Sequence, residues 1–185
     1  MWIYDKKLQY PVKIKNPNPK LATFIVSQIG GPDGELGASM RYLQQRYAMP
    51  YDEIKGILTD VGTEELAHME MVSAIIHQLT RDLSEEEIKN SPFAPYFVDH
   101  TTGVYPVAAS GVPFDMKYVG VKGDVLTDLN EDLAADAAIS KEQPLPKKSR
   151  NPLKYKDFSH LGKRRKIAYL LSYKSNHRHF KQKIN

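Results

Sequence analysis

At 185 residues with a formal net charge of +4, the chain is long enough to bury one hydrophobic core and suits one domain, with or without a tail. It has no cysteine, which excludes disulfides and thiolate metal sites and leaves carboxylate and imidazole as the metal ligands on offer. No apolar run approaches the roughly 20 residues of a membrane span, and residues 1–7 hold no apolar signal core, so a soluble product with no membrane association is expected.

The charge is unevenly placed. Residues 1–136 hold 12 Lys+Arg against 20 Asp+Glu, whereas residues 137–185 hold 14 against 2. Two regions of opposite character therefore join near Asp136.

A helix is expected to open at Asn18-Pro19, a capping amide followed by a proline in the first turn, with Leu21, Phe24, Ile25 and Ile29 as its apolar face. The cluster Gly30-Gly31-Pro32-Asp33-Gly34 breaks or bends it. No Lys-Ser/Thr follows, so this is not a phosphate loop; a bend that opens space beside Glu35 is the economical reading. The next helix runs from Glu35 to Met49-Pro50, with Tyr42 two turns after Glu35 on the same face.

Asp52 begins a long helix that continues to about Arg81. Leu58, Val61, Glu65, His68, Val72, Ile75 and Leu79 follow one another in alternating steps of three and four, which puts two ionisable groups into an apolar seam. Burying a lone carboxylate costs roughly several kcal/mol unless a cation or a hydrogen-bond partner offsets it. A divalent ion held by Glu35, Glu65 and His68 does so, with Tyr42 placed to hydrogen-bond and orient a ligand carboxylate. The plain alternative for a Glu-x-x-His is an exposed helix pair or a hydrogen-bonded core histidine, and Glu35 on the preceding helix weighs against it. A Glu on one helix and a Glu-x-x-His on the next make half of the ligand set of ferritin-like two-metal proteins. Such ligands suit manganese, iron or zinc, and a carboxylate-rich pair of sites leans toward manganese or iron.

Ser84-Glu85-Glu86-Glu87 is a capping-box pattern opening a short helix that stops at Asn90. Residues 91–123, rich in proline, glycine and aromatics, read as a crossover wrapped over a helical bundle. A further helix opens at Asp124 with Leu126, Leu129, Leu133 and Asp136 in its seam, bringing a third acidic group toward the core. His77 and His100 lack ligand-type neighbours in the sequence and are expected in solvent-exposed or structural roles. Beyond Asp136, three prolines within residues 144–152 oppose a continuous helix. Basic residues there alternate with Tyr155, Phe158, Tyr169 and Tyr173, a mixture that can grip phosphate backbones, but a solvated tail is favoured and nucleic acid is not expected as a partner.

Lys-Leu-Gln-Tyr-Pro at 7–11, Gly-Gly-Pro-Asp-Gly-Glu at 30–35, Arg-Tyr-Leu at 41–43, Leu-Thr-Asp-Val-Gly-Thr-Glu-Glu-Leu-Ala-His-Met-Glu-Met at 58–71 and Gly-Val-Pro-Phe at 111–114 resemble the manganese catalase family, including its short spore-coat type. Thr-Glu-Glu-x-Ala-His is the specific string. The likeness covers about residues 1–136 and implies an all-α, ferritin-like four-helix bundle with two manganese ions that dismutate hydrogen peroxide to water and dioxygen. By resemblance, Glu65 is the carboxylate shared between the metals, and Glu35 and His68 complete the first ion's protein ligands. Tyr42 stands behind them, and Asp136 takes the place of a family glutamate. Synthesis in the cytoplasm, location in the spore coat and other spore coat proteins as partners are also implied. Asp60 matches a calcium ligand of some members, but Gly56 replaces another, so calcium is not carried over.

After Asp136 the family pattern stops, and Tyr169 stands near the place of a returning histidine. The fourth helix is therefore expected to be missing or altered, with residues 137–185 forming an atypical basic tail of the kind a shifted reading frame produces. A bundle short of its fourth helix exposes the seam of the other three, so poor stability, or its rescue as a homo-oligomer, is expected. The alternative function is a structural coat component with impaired or no catalytic activity.

Overall fold

The computed structural model describes residues 7–30, 34–96, 115 and 119–141, with the backbone alone at residues 30 and 136–141. Regular structure among these residues is entirely helical: α1 (Pro19–Ile25), α2 (Ser27–Gly30), α3 (Glu35–Ala48), α4 (Asp52–Thr80), α5 (Glu85–Lys89), a 3-10 turn (Ala94–Tyr96) and α6 (Val125–Lys141). The chain forms two compact units, Met1–Ser39 with Thr63–Val119, and Met40–Gly62 with Gly120–Asn185.

In the first unit, α1 opens as the sequence predicts, with Oδ1 of Asn18 accepting from the Leu21 amide at 3.0 Å and Pro19 in the first turn. Its buried face is different from the expected one. Ala22, Ile25 and Val26 point inward, at spacings of three and four, while Phe24 is 56% exposed. The helix lasts only seven residues, so the wider stripe through Ile29 is never built.

Before α1, Val12 and Ile14 are buried while Lys13 and Lys15 are exposed, the alternation of an extended segment. Among the described residues there is no sheet for it to join, and its backbone is satisfied by the end of α4. Gln78 accepts from the Ile14 amide at 2.7 Å and donates to the Val12 carbonyl at 2.9 Å, Arg81 donates to the Ile14 carbonyl at 2.8 Å, and the Asn18 amide donates to the Leu79 carbonyl at 2.7 Å. α5 carries the full capping box between Ser84 and Glu87 and ends on Asn90, as expected. Phe93 and Tyr96 are buried, their ring centroids 5.1 Å apart, which anchors the start of the segment read as a crossover. His77 is exposed.

In the second unit the inward residues are Tyr42, Met49, Ile54, Leu58 and Val61 on α3 and α4 and the approach to α4. The helices meet closely at Gly62: a Cβ there would lie 2.8 Å from Cγ of Leu43 and 3.3 Å from Cβ of Tyr42. α6 is capped by Asp124, whose Oδ1 accepts from the Thr127 amide at 2.8 Å.

The expected seam of α6 is corrected by the structure. Val125, Asp128, Leu129, Asp132 and Ala135 are buried, whereas Leu126 is 42% exposed and Leu133 is only half-buried. Asp128 can sit inside because both its oxygens accept backbone amides, Lys122 N at 2.8 Å and Gly123 N at 3.2 Å, a satisfied carboxylate instead of an orphan. Gly123, with φ of 77°, supplies the left-handed residue that this turn needs. Asp136 lies in α6 four residues after Asp132; its side chain, His100, the rest of the crossover, and the fourth-helix region and basic tail at 142–185 lie outside the described residues.

Candidate metal centre

All seven seam positions of α4 are buried, including Glu65 at 1% exposure and His68 at 3%. The 29-residue length of the helix holds the three-and-four stepping in phase across the whole seam, which is why the spacing was reliable here and not on α1. Glu35, the first residue of α3, is 5% exposed.

One ligand atom from each of Glu35, Glu65 and His68 lies within 4.8 Å of the other two, and all three residues are buried. Nδ1 of His68 is 3.0 Å from Oε2 of Glu65 and 4.0 Å from Oε2 of Glu35. On the opposite edge of the ring, Nε2 is 3.9 Å from Oε1 of Glu64.

Local structure sets these positions. Glu65 and His68 are three residues apart on one helix, so their relative placement follows from helical geometry. Glu35 is fixed by its neighbour. A Cβ on Gly34 would lie 3.0 Å from each of the carbonyl oxygens of Ser27, Gln28 and Ile29, so only glycine lets the start of α3 press against α2. The Gly34 carbonyl then accepts from the Ala38 amide at 2.9 Å, starting the helix. Gly34 thus has a mechanical role, residues 31–33 of the expected bend lying outside the described residues, and the helix N-terminus contributes favourable partial positive charge at the Glu35 carboxylate.

The donors fit a divalent cation. Two carboxylates in a dry interior repel each other and demand neutralisation; two hard oxygen donors with one imidazole and no thiolate suit manganese, iron or zinc. A 3.0 Å separation of Nδ1 and Oε2 subtends about a right angle at an ion roughly 2.1 Å from each.

Tyr42 is fully buried on α3. Two acidic groups escaped the sequence reading: Asp132, for which the four-residue ladder Asp128, Asp132, Asp136 was the available signal, and Glu64, for which the signal was its position four residues before His68.

Helix-borne carboxylates and an imidazole converging in the interior make a group that could hold a metal ion, a donor set of the kind that ferritin-like carboxylate proteins use. The model of the family "Manganese containing catalase" matches residues 1–145, and the chain belongs to that family, whose fold is the ferritin-like helical bundle. Protein CotJC of Bacillus subtilis (strain 168) is 47% identical over 136 residues, 74% of this chain and 71% of that protein. A probable manganese catalase of Clostridium acetobutylicum is 33% identical over 138 residues, with 74% of this chain and 61% of that protein covered. The crystal structure of KatB, a manganese catalase from Anabaena, superposes with a TM-score of 0.71 at 27% identity, covering 98% of this chain and 77% of that one. The chain spans less than two thirds of the Clostridium relative. Among the described residues, no helix is long and apolar enough to cross a membrane.

Proposed function

We propose that the chain is a manganese catalase-like component of the spore coat that converts two molecules of hydrogen peroxide into two of water and one of dioxygen. The observation that carries this is the convergence of Glu35, Glu65 and His68, buried and within 4.8 Å, in a chain of the manganese catalase family. In this reading Glu65, Glu35 and His68 would hold a first ion, Glu65 would also serve a second, and Asp136 would be a further ligand of that second ion. Tyr42 orients a ligand carboxylate. Bound manganese supplies one-electron changes at each of two adjacent ions, so a pair handles the two-electron chemistry of peroxide without releasing a radical. The chain's own contribution is positioning and exclusion. The carboxylates neutralise cationic charge, the imidazole offers a neutral donor, and Val61 and Val72, buried in the same seam, keep bulk water from the centre. A homo-oligomer and other coat proteins are the partners proposed.

Metal analysis of the purified protein, together with oxygen release from peroxide, tests the proposal against Glu65→Ala. Two manganese ions per chain and activity, both lost in the variant, are expected. Activity that survives Glu65→Ala is the result that defeats it. The reversal of charge after Asp136 favours a second reading, a structural coat component with impaired catalysis. A folded, metal-free assembly that releases no oxygen selects that one.

A further inference from the structure

We propose that Glu64 is a positioning residue of the metal centre: its carboxylate receives the Nε2–H of His68 and thereby presents the Nδ1 lone pair to the ion. This rests on the reading that Glu35, Glu65 and His68 hold manganese.

The imidazole of His68 has carboxylates at both edges. Nδ1 faces Oε2 of Glu65 at 3.0 Å and Oε2 of Glu35 at 4.0 Å, while Nε2 faces Oε1 of Glu64 at 3.9 Å. A neutral imidazole that ligates through one nitrogen carries its proton on the other, and the partner of that proton decides which nitrogen is free. A carboxylate in that place fixes the tautomer and the ring orientation and makes the ligating nitrogen more basic. At 3.9 Å the pair is an ion-pair approach and not yet a hydrogen bond. A side-chain rotation closes the gap, or one water bridges it.

Helical geometry explains how adjacent glutamates take separate tasks. Glu65, at i−3 from His68, reaches the Nδ1 edge, and Glu64, at i−4, reaches the Nε2 edge. Their environments differ accordingly. The Glu65 side chain is 1% exposed, whereas that of Glu64 is 23% exposed and keeps contact with solvent. Glu65 faces the candidate centre; Glu64 stands beside it at the solvent edge.

The test is a Mn²⁺ titration of the full-length parent, Glu64→Ala and Glu64→Gln, with free Mn²⁺ read by electron paramagnetic resonance. Helicity and melting of each metal-free protein are followed by circular dichroism. Glu64→Ala is expected to weaken Mn²⁺ binding by roughly 10- to 100-fold while the metal-free melt stays at the parent's. Glu64→Gln keeps an acceptor oxygen and is expected to restore most of the affinity, a rescue that simple loss of packing does not give. A second measurement, ¹⁵N NMR of His68 in the Zn²⁺-loaded proteins, is expected to show an Nε2–H protected from solvent exchange in the parent and Glu64→Gln, and unprotected in Glu64→Ala. Glu64→Ala binding as tightly as the parent, or Glu64→Gln as weak as Glu64→Ala, overturns the role of Glu64 alone. A parent that binds no Mn²⁺ overturns it together with the manganese reading.

Discussion

Nδ1 of His68 lies 3.0 Å from Oε2 of Glu65, one helical turn away on α4, and both side chains are buried. Because a single helix carries the pair, its geometry costs no long-range alignment; only Glu35 has to be brought in from another element. Two of the three candidate ligands are thus preorganised by local structure, and the third depends on the packing of Gly34.

Metal binding should be visible in stability. A ligand that binds only the folded state at about 100 times its Kd adds roughly 2.7 kcal/mol, so excess Mn²⁺ is expected to raise the melting temperature of the parent. Glu65→Gln keeps the size of the side chain but replaces the carboxylate proposed to hold the ion, so it should lose the Mn²⁺-dependent rise. Thermal melts of both proteins with Mn²⁺ and with chelator check the difference.

Gly34→Ala places a methyl group 3.0 Å from three carbonyl oxygens of α2. Backbone cannot swing aside as a side-chain tip does, so the start of α3 must move. A loss of about 1–3 kcal/mol is expected from the overpacking, together with weaker Mn²⁺ binding, because Glu35 is the next residue. Urea unfolding of the metal-free protein and a Mn²⁺ titration separate the two effects.

The two glycines within α4 should respond in opposite directions. Around Gly56 nothing lies within 4 Å of an added Cβ, and alanine there should stabilise by about 0.4–1 kcal/mol through the entropy of the unfolded chain. At Gly62 the added Cβ meets Cγ of Leu43 at 2.8 Å, and alanine should destabilise by about 1–3 kcal/mol as Leu43 is displaced. Denaturant midpoints of Gly56→Ala and Gly62→Ala decide the sign of each.

Helix caps give a local pH dependence. The Glu87 carboxyl is held below the usual glutamate range by the Ser84 backbone hydrogen bond and then by the Ser84 hydroxyl. Asp124 is likewise lowered by hydrogen bonds from Thr127. Each group binds its proton less readily folded than unfolded, so its stabilising effect is complete above the ordinary carboxylate pKa of about 4 and fades as pH falls through the lowered value. Amide protection factors in the first turns of α5 and α6 are expected to fall only in that acid window, and Ser84→Ala, which removes the hydroxyl but keeps the backbone amide, should weaken the effect in α5 alone.

Much of the centre was legible because α4 is long: seven seam positions in register leave little doubt about which way Glu65 and His68 face. Short or end-of-helix segments were less readable. On α1 the stripe through Phe24 was apolar enough to suggest burial, yet the helix stops after Ile25. In α6, Leu126 lies in the first turn, where the loop tied down through Asp128 sets what is covered. Hydrophobic patterning treats an aspartate as a surface residue and cannot anticipate that two loop amides satisfy Asp128 inside. Glu64 was passed over for a similar reason, as one acidic neighbour of a more conspicuous one.

Glu35 stands thirteen residues before the last residue of α3, Ala48, and Glu65 stands thirteen after the first residue of α4, Asp52. At 1.5 Å per residue each arm rises about 20 Å from the short link at 49–51, and the match of these two lengths lets the carboxylates meet. Removing one residue from either arm turns its far end by about 100° and drops it by about 1.5 Å, which parts the ligand atoms. A single-residue indel in either arm is therefore expected to disrupt the centre, so the lengths of the two arms constrain each other.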